Sequence, residues 1–207
     1  MILFHGSNME VSRIDLSRCT KYKDFGQGFY TTSIREQACE WAKKVTRRFS
    51  FGKPTLSIYK FDENSDGLRH LSFTEPDEKW ATFVINNRNR NFSDHGDVLE
   101  LLRNFNFARA SAENAFCRPL ACKRQDLLRN LWSFARGQLS NHDNKYDFVR
   151  GLVANDDISA ILDTFLMGIL PLSEISKALI YKKLNDQYSF HTPGSLALLN
   201  FLESEAV

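Results

Sequence analysis

No charge of one sign dominates this 207-residue sequence. Its 27 Lys and Arg stand against 25 Asp and Glu, a net charge of +2, which by itself implies no polyanionic partner. Cysteine is sparse and badly spaced for chemistry. Cys19, Cys39, Cys117 and Cys122 form no Cys-x-x-Cys, and no His lies at metal-ligand spacing from them. Cys117 and Cys122 would make half of a zinc site whose other half is missing, so no metal is expected and buried free thiols are the reading. Long apolar runs are also absent. The longest, Ile158 to Leu172, is broken by Asp163, Gly168 and Pro171 and cannot span a bilayer. The opening Met1-Ile2-Leu3-Phe4-His5 has no basic flank and no extended apolar stretch, so no secretory signal is expected; the expected compartment is the cytoplasm, with no membrane partner. There is no internal repeat and no low-complexity segment. Gly26-x-Gly28 lacks the third glycine and the helix opening of a dinucleotide-binding fingerprint. No Gly-x-Ser-x-Gly elbow suggests a serine hydrolase, and no motif suggests a nucleic-acid reader.

What is present reads as one domain. Seventeen Phe supply a large aromatic core. Ile2-Leu3-Phe4 is too short for a helix and is read as a strand ending at His5. A polar connector over 11–23 is pinned by Val11, Ile14 and Leu16. Phe29 to Thr32 has strand propensity. Ser33, with Glu36 three residues on, predicts a capping box and a helix over 34–48 that buries Ala38, Trp41, Ala42 and Val45. A strand over 56–61 and a helix over 77–87 built on Trp80, Phe83 and Val84 follow. Residues of about 90–145 read as a helical insertion, with helices near 98–105 and 126–135. Strand character returns at 147–149 and 152–154 around Gly151, then helices over 158–168 and 173–184. In 187–191, Tyr188 and Phe190 face one way, and Gln187, Ser189 and His191 the other. Thr192 with Pro193 predicts a final helix whose Leu196, Leu199 and Leu202 close the core. The expected class is α+β.

Two segments carry more information than the rest: Phe4-His5-Gly6-Ser7, and Asp24-Phe25-Gly26-Gln27-Gly28-Phe29-Tyr30-Thr31-Thr32. Together they resemble the two halves of the NAD-binding cleft of ADP-ribosyltransferases, in the poly(ADP-ribose) polymerase-like, His-Tyr branch. The chain resembles still more closely a bacterial family of domains of unassigned function in that clan, DUF3990. That likeness extends to Trp80 through Arg88, to Tyr146-Asp147-Phe148-Val149-x-Gly151-x-Val153-Ala154, and to Asp186-Gln187-x-x-Phe190-x-Thr192. It covers most of the chain outside roughly 90–140. The fold it implies is an ADP-ribosyltransferase-like split, mixed sheet with flanking helices and a helical insertion.

The resemblance also implies a site. His5 would hydrogen-bond the hydroxyls of the adenine ribose, with Ser7 assisting. The Gly6 backbone would meet the nicotinamide carboxamide, since a glycine leaves it open to approach. Gly28 belongs to the glycine loop leading into Tyr30, and Gln27 replaces the Lys of the polymerases. Tyr30 would stack on nicotinamide, with Trp41, eleven residues on, as a second stacking ring. A core role for Trp41 on an amphipathic helix carries equal weight. Gln187 stands where most active transferases place a Glu that binds the nicotinamide ribose. A neutral amide can accept that hydrogen bond without the charge, which weakens the bond by about 1–3 kcal/mol. Asp186 is a nearby source of charge. On these grounds Gln187→Glu is expected to keep or raise activity, and His5, Tyr30 and Gln187 are expected to converge.

The activity implied is transfer of ADP-ribose from NAD, the substrate, to a macromolecule, with release of nicotinamide. The acceptor is protein or nucleic acid. A bacterial toxin or defence effector, with a cognate antitoxin as partner, is the biological setting such small domains suggest by analogy. NAD hydrolysis and a non-catalytic NAD- or ADP-ribose-binding module are the alternatives. The basic stretches at Lys43, Lys44, Arg47, Arg48 and Lys53, and at Arg118, Lys123, Arg124, Arg129 and Arg136, are read as solvated helix faces.

Overall fold

The computed structural model describes residues 1–88, 140–154 and 185–207. The helices expected at 98–105, 126–135, 158–168 and 173–184, and nearly all of the expected insertion, lie outside these residues.

The described chain is an α+β arrangement of two sheets. In the first, β1 (Ile2–Ser7) and β7 (Leu199–Ala206) flank β3 (Thr55–Phe61), both antiparallel to it. In the second, the order is β2 (Phe29–Thr31), β6 (Gln187–Phe190), β5 (Phe148–Gly151) and β4 (His70–Ser72). Only the β4–β5 pair is parallel, so this sheet is mixed. The sheets meet at one antiparallel bridge: Phe4 and Thr32 exchange backbone hydrogen bonds of 2.8 and 2.9 Å.

Strand alternation explains the layers. Leu3, Tyr59 and Phe61 of the first sheet join Phe29, Phe148, Tyr188 and Phe190 of the second in one aromatic core. The rings meet mostly edge to face, as at Phe61–Phe190 with centroids 5.6 Å apart. The opposite face of the second sheet packs on α2 (Glu78–Arg88), where Phe25, Trp80, Phe83, Val84, Val149 and Ala154 form a second core. Helix α2 starts at Asp77, whose carboxylate accepts from the Trp80 N–H at 2.8 Å. Helix α1 (Arg35–Phe49) covers the outer face of the first sheet. A Cβ on Gly6 would stand 2.0 Å from the Ala38 carbonyl oxygen, so only glycine lets strand and helix approach this closely.

Four expectations are corrected. Ser33 does not cap α1: its N–H and hydroxyl donate to the Asp186 carboxylate, while Thr32 Oγ1 accepts from the Ile34 N–H at 3.1 Å. Trp41 points outward, 36% exposed, because Ala38 and Ala42 alone bring the helix flush with the sheet. The final helix stops after one turn. Thr192 caps α3 (Pro193–Leu196) with Ser195 completing a capping box, but residues 199–206 then extend as β7. The stretch carries both periods, Leu196–Leu199–Leu202 at helical spacing and Leu199–Phe201 at strand spacing, and the open edge of β3 decides between them. The register shifts between Ile58↔Glu203 and Tyr59↔Phe201, so Leu202 is the extra residue of a β-bulge and is 51% exposed. The strand expected at 152–154 is reduced to a bridge residue at Ala154.

The bulge separates two neighbours energetically. Leu202→Ser is expected to change stability by less than about 0.5 kcal/mol. Phe201→Ala, which removes a ring packed 5.7 Å from Tyr59, is expected to cost at least about 2 kcal/mol. Urea unfolding of both variants checks this; the reverse ranking would restore a terminal helix with Leu202 in the core.

Candidate functional site

β1 and β2 part beyond the Phe4–Thr32 bridge, where His5 and Gly6 lie. Backbone alternation follows from that bridge. The N–H and C=O of Phe4 face β2, so those of His5 face β3 and those of Gly6 turn again toward the open seam. Gly6 thus has two grounds for being glycine, the helix packed behind it and a backbone edge left open in front.

His5 lies at this point on the inter-sheet side, its ring centroid 4.4 Å from that of Phe29. Its Nδ1 is 2.7 Å from the Tyr30 carbonyl oxygen. A carbonyl only accepts, so Nδ1 carries the proton. Burial lowers the pKa of His5 and keeps it neutral near pH 7, against the carbonyl contact, which favours the proton. Nε2 is then a bare acceptor with no partner among the described residues.

Tyr30 and Gln187 lie on the other face of the second sheet. Tyr30 pairs with Ser189, so alternation makes Tyr30 and Gln187 diagonal same-face neighbours on β2 and β6. The Tyr30 hydroxyl is fully used: it accepts from the Phe25 N–H at 3.0 Å and donates to the Gly26 carbonyl at 2.7 Å. Burial, then the Asp24 carboxylate, push its pKa well above the usual phenol range. Any contact with a ligand is therefore left to the ring, and the hydroxyl holds the loop. The imidazole of His5 and the side chains of Tyr30 and Gln187 thus stand on opposite faces of the second sheet, and the expected convergence of the three side chains is not seen.

Gln187, 7% exposed, is fixed by two acceptors. Its Nε2 donates to Asp24 Oδ2 at 2.7 Å and to the Leu152 carbonyl at 3.0 Å. Neither partner can donate, so the amide orientation is settled by chemistry, and Oε1 is left without a partner among the described residues. Asp24 is 3% exposed. Its Oδ1 pairs with the Arg88 guanidinium, and its Oδ2 also accepts from the Ala154 N–H at 2.9 Å. Breaking such a buried pair by removing one partner costs about 3–5 kcal/mol.

The other expected residues fall close by. The Ser7 hydroxyl donates to Asn8 Oδ1 at 3.4 Å. Gly26 has φ of +93°, which a β-carbon would strain. A Cβ on Gly28 would lie 2.7 Å from His191 Nδ1, so that glycine answers to a close approach. Gln27 pins the connector through the Leu16 and Cys19 carbonyls. Trp41 is brought to the same loop: Lys23 Nζ lies 5.3 Å, and Lys44 Nζ 5.1 Å, from its ring centroid. No ring contact joins Trp41 to Tyr30 among the described residues. Asp186 is committed elsewhere, to Thr32 and Ser33 at the start of α1. Burial first, with the Asp15 charge, pushes the Cys19 thiol up to about 11, so it is no nucleophile. A pocket of about 140 Å³ lined by Phe61, Glu63, Ser65, His70, Phe148 and Arg150 contains none of the expected residues. Among the described residues no group of His, Cys, Asp and Glu could hold a metal ion, and no helix is long and apolar enough to cross a membrane.

Two residues escaped the sequence reading. Asp24 was visible inside the glycine motif, but its partners Arg88 and Gln187 lie 64 and 163 residues away. His191 was visible only as a strand residue. Its Nδ1 donates to the Gln27 carbonyl at 2.8 Å and its Nε2 lies 2.8 Å from Ser189 Oγ, locking the glycine loop to β6.

A sequence model of the family described as a protein of unknown function (DUF3990) matches residues 1–201, and the chain belongs to that family. No curated protein and no solved structure is similar enough to match.

The two histidines make stability depend on pH. Burial lowers the His191 pKa from 6.5 to about 4, against the Gln27 carbonyl contact and the Asp147 charge, and it lowers His5 in the same direction. The unfolded chain therefore binds protons that the folded chain refuses. This part of the stability is complete above pH 6.5 and is lost as pH falls toward 4. At about 1.4 kcal/mol per pKa unit, His191 alone accounts for on the order of 3 kcal/mol across that window. Urea midpoints should fall between pH 7.5 and 5, and His191→Gln should be less stable at pH 7.5 yet shallower in its pH dependence. An equally steep profile in His191→Gln would assign the slope to other groups.

Proposed function

We propose that this DUF3990 domain is an NAD-dependent mono-ADP-ribosyltransferase. The observation that carries the reading is a set of groups whose roles are fixed by their surroundings: His5 Nε2 as an acceptor, the Gly6 backbone as donor and acceptor, and Gln187 Oε1 as a second acceptor. Bare acceptors call for hydroxyl donors, and a dinucleotide offers two ribose diols and a carboxamide. The likeness of the His-Gly-Ser and Gly-x-Gly-Phe-Tyr segments to the His-Tyr branch of ADP-ribosyltransferases supports the same choice.

In this reading His5, with Ser7 beside it, holds the adenine ribose, and Gly6 orients the carboxamide. The Tyr30 ring borders the nicotinamide, with Trp41 on the loop side. The bond between nicotinamide nitrogen and ribose C1′ breaks, and its electron pair stays on the nitrogen, which becomes neutral. Positive charge develops on the ribose, where Gln187 Oε1 accepts from the 2′-hydroxyl and lies against that charge. A lone pair of the acceptor forms the new bond to C1′, and the acceptor's proton leaves to solvent. The acceptor is a protein or nucleic acid, and an effector of this kind would be held in check in its own cell by an antitoxin. Water as acceptor gives NAD hydrolysis, and a chain that binds without breaking the bond is a nucleotide-binding module.

Incubation with labelled NAD and a cell lysate, followed by nuclease or protease digestion, separates these readings. Label retained on macromolecules and released by one digestion names the acceptor class. Free ADP-ribose alone indicates hydrolysis, and intact NAD bound by the protein indicates the module. Gln187→Ala is expected to lower turnover at least tenfold, or ~1.4 kcal/mol of transition-state stabilisation, while NAD affinity changes far less. Turnover indifferent to Gln187→Ala in a protein that melts normally would remove Gln187 from the chemistry.

A further inference from the structure

The sequence alone predicts that Gln187→Glu keeps or raises activity. The geometry reverses this. Asp24 Oδ2 already stands 2.7 Å from the nitrogen of the Gln187 amide. A Glu at 187 would press two carboxylates together, and only a shared proton or displacement of one of them relieves that repulsion. The neutral amide is what a buried carboxylate at position 24 requires of its neighbour.

We infer that Asp24 is a positioning residue for the transfer reaction, and that its carboxylate supplies through the Gln187 amide the negative charge that Gln187 itself lacks. This rests on the transferase reading. The Gln187 N–H donates to an anion, and such a charge-assisted bond is about twice as strong as a neutral one. Drawing the amide protons toward Asp24 enriches Oε1 in electron density, the cooperative polarisation of linked hydrogen bonds in a low-dielectric site. Leu152 takes the second amide proton, so the plane of the amide is held. Arg88 and the Ala154 N–H anchor the carboxylate from behind. The charge therefore sits one hydrogen bond behind the acceptor oxygen. Asp24 touches no substrate in this arrangement.

Exchanging the two groups tests the inference. Gln187→Glu and Asp24→Asn are each expected to lower the kcat for NAD at least about tenfold, with KM changed less than threefold. The double exchange, Asp24→Asn with Gln187→Glu, restores a donor at 24 and moves the charge to 187; its kcat should return to within about threefold of wild type. A merely structural Asp24 would not give this rescue. Losses that add in the double variant, or an Asp24→Asn enzyme with unchanged kcat, overturn the inference while leaving the transferase reading in place. A wild type inert toward NAD overturns both.

Should Asp24→Asn not fold, the wild type decides by NMR. The Gln187 side-chain amide protons, assigned by their disappearance in Gln187→Glu, should exchange slowly with solvent and shift on addition of NAD. Free exchange would mean that Asp24 does not hold the amide, and the inference falls.

Discussion

The carboxylate of Asp24, sealed from water, is the constraint on which the rest of this structure depends. It draws the guanidinium at the end of α2, the backbone following β5 and the side chain that opens β6 onto one loop. None of these segments is near another in sequence. A buried charge tolerates no loose partner, because each unanswered lone pair carries a desolvation cost. The loop from Lys23 to Gly28 is accordingly clamped at both ends, by Asp24 toward α2 and by the Gln27 carbonyl accepting from His191. Tyr30 closes it from within.

The same logic orients two acceptors, one on each face of the second sheet. Both His5 and Gln187 are ambiguous groups, one by tautomer and the other by rotation of its amide. Each faces a partner that can only accept, so each must give its hydrogen to that partner and keep its lone pair on the other polar atom. The surroundings thus choose which atom a ligand would meet. Rigidity of this kind is what a site needs to hold a reacting bond in line.

Much of this was legible in the sequence, and for identifiable reasons. The helix of Ala38 and Ala42, the alternating strand of Tyr59 and Phe61 and the opposed faces of Tyr188 and Gln187 follow from periodicity. The cap at Thr192 with Pro193 follows from local chemistry. Trp41 was misplaced because helical spacing marks a face and does not say how far the sheet beneath it reaches. The strand after α3 was misread because Leu196, Leu199, Phe201 and Leu202 satisfy two periods at once; a vacant strand edge more than a hundred residues away settled the matter. Asp24 was legible as a residue and illegible as a function, since its meaning lies in partners that only the fold brings to it. The backbone face of Gly6 was invisible for the same reason.

The topology of the first sheet carries a consequence in time. Its central strand, residues 55–61, lies between residues 2–7 and residues 199–206. The strand bearing Gln187 and the strand that completes this sheet are both made after residues 2–7 and 55–61. While the chain emerges from the ribosome, His5 and Gly6 wait on a sheet with one side missing, and the seam has no second wall. The surroundings of His5 and Gly6 are therefore incomplete on any chain that has not yet reached residues 187–190 and 199–206, and the two sheets close only together.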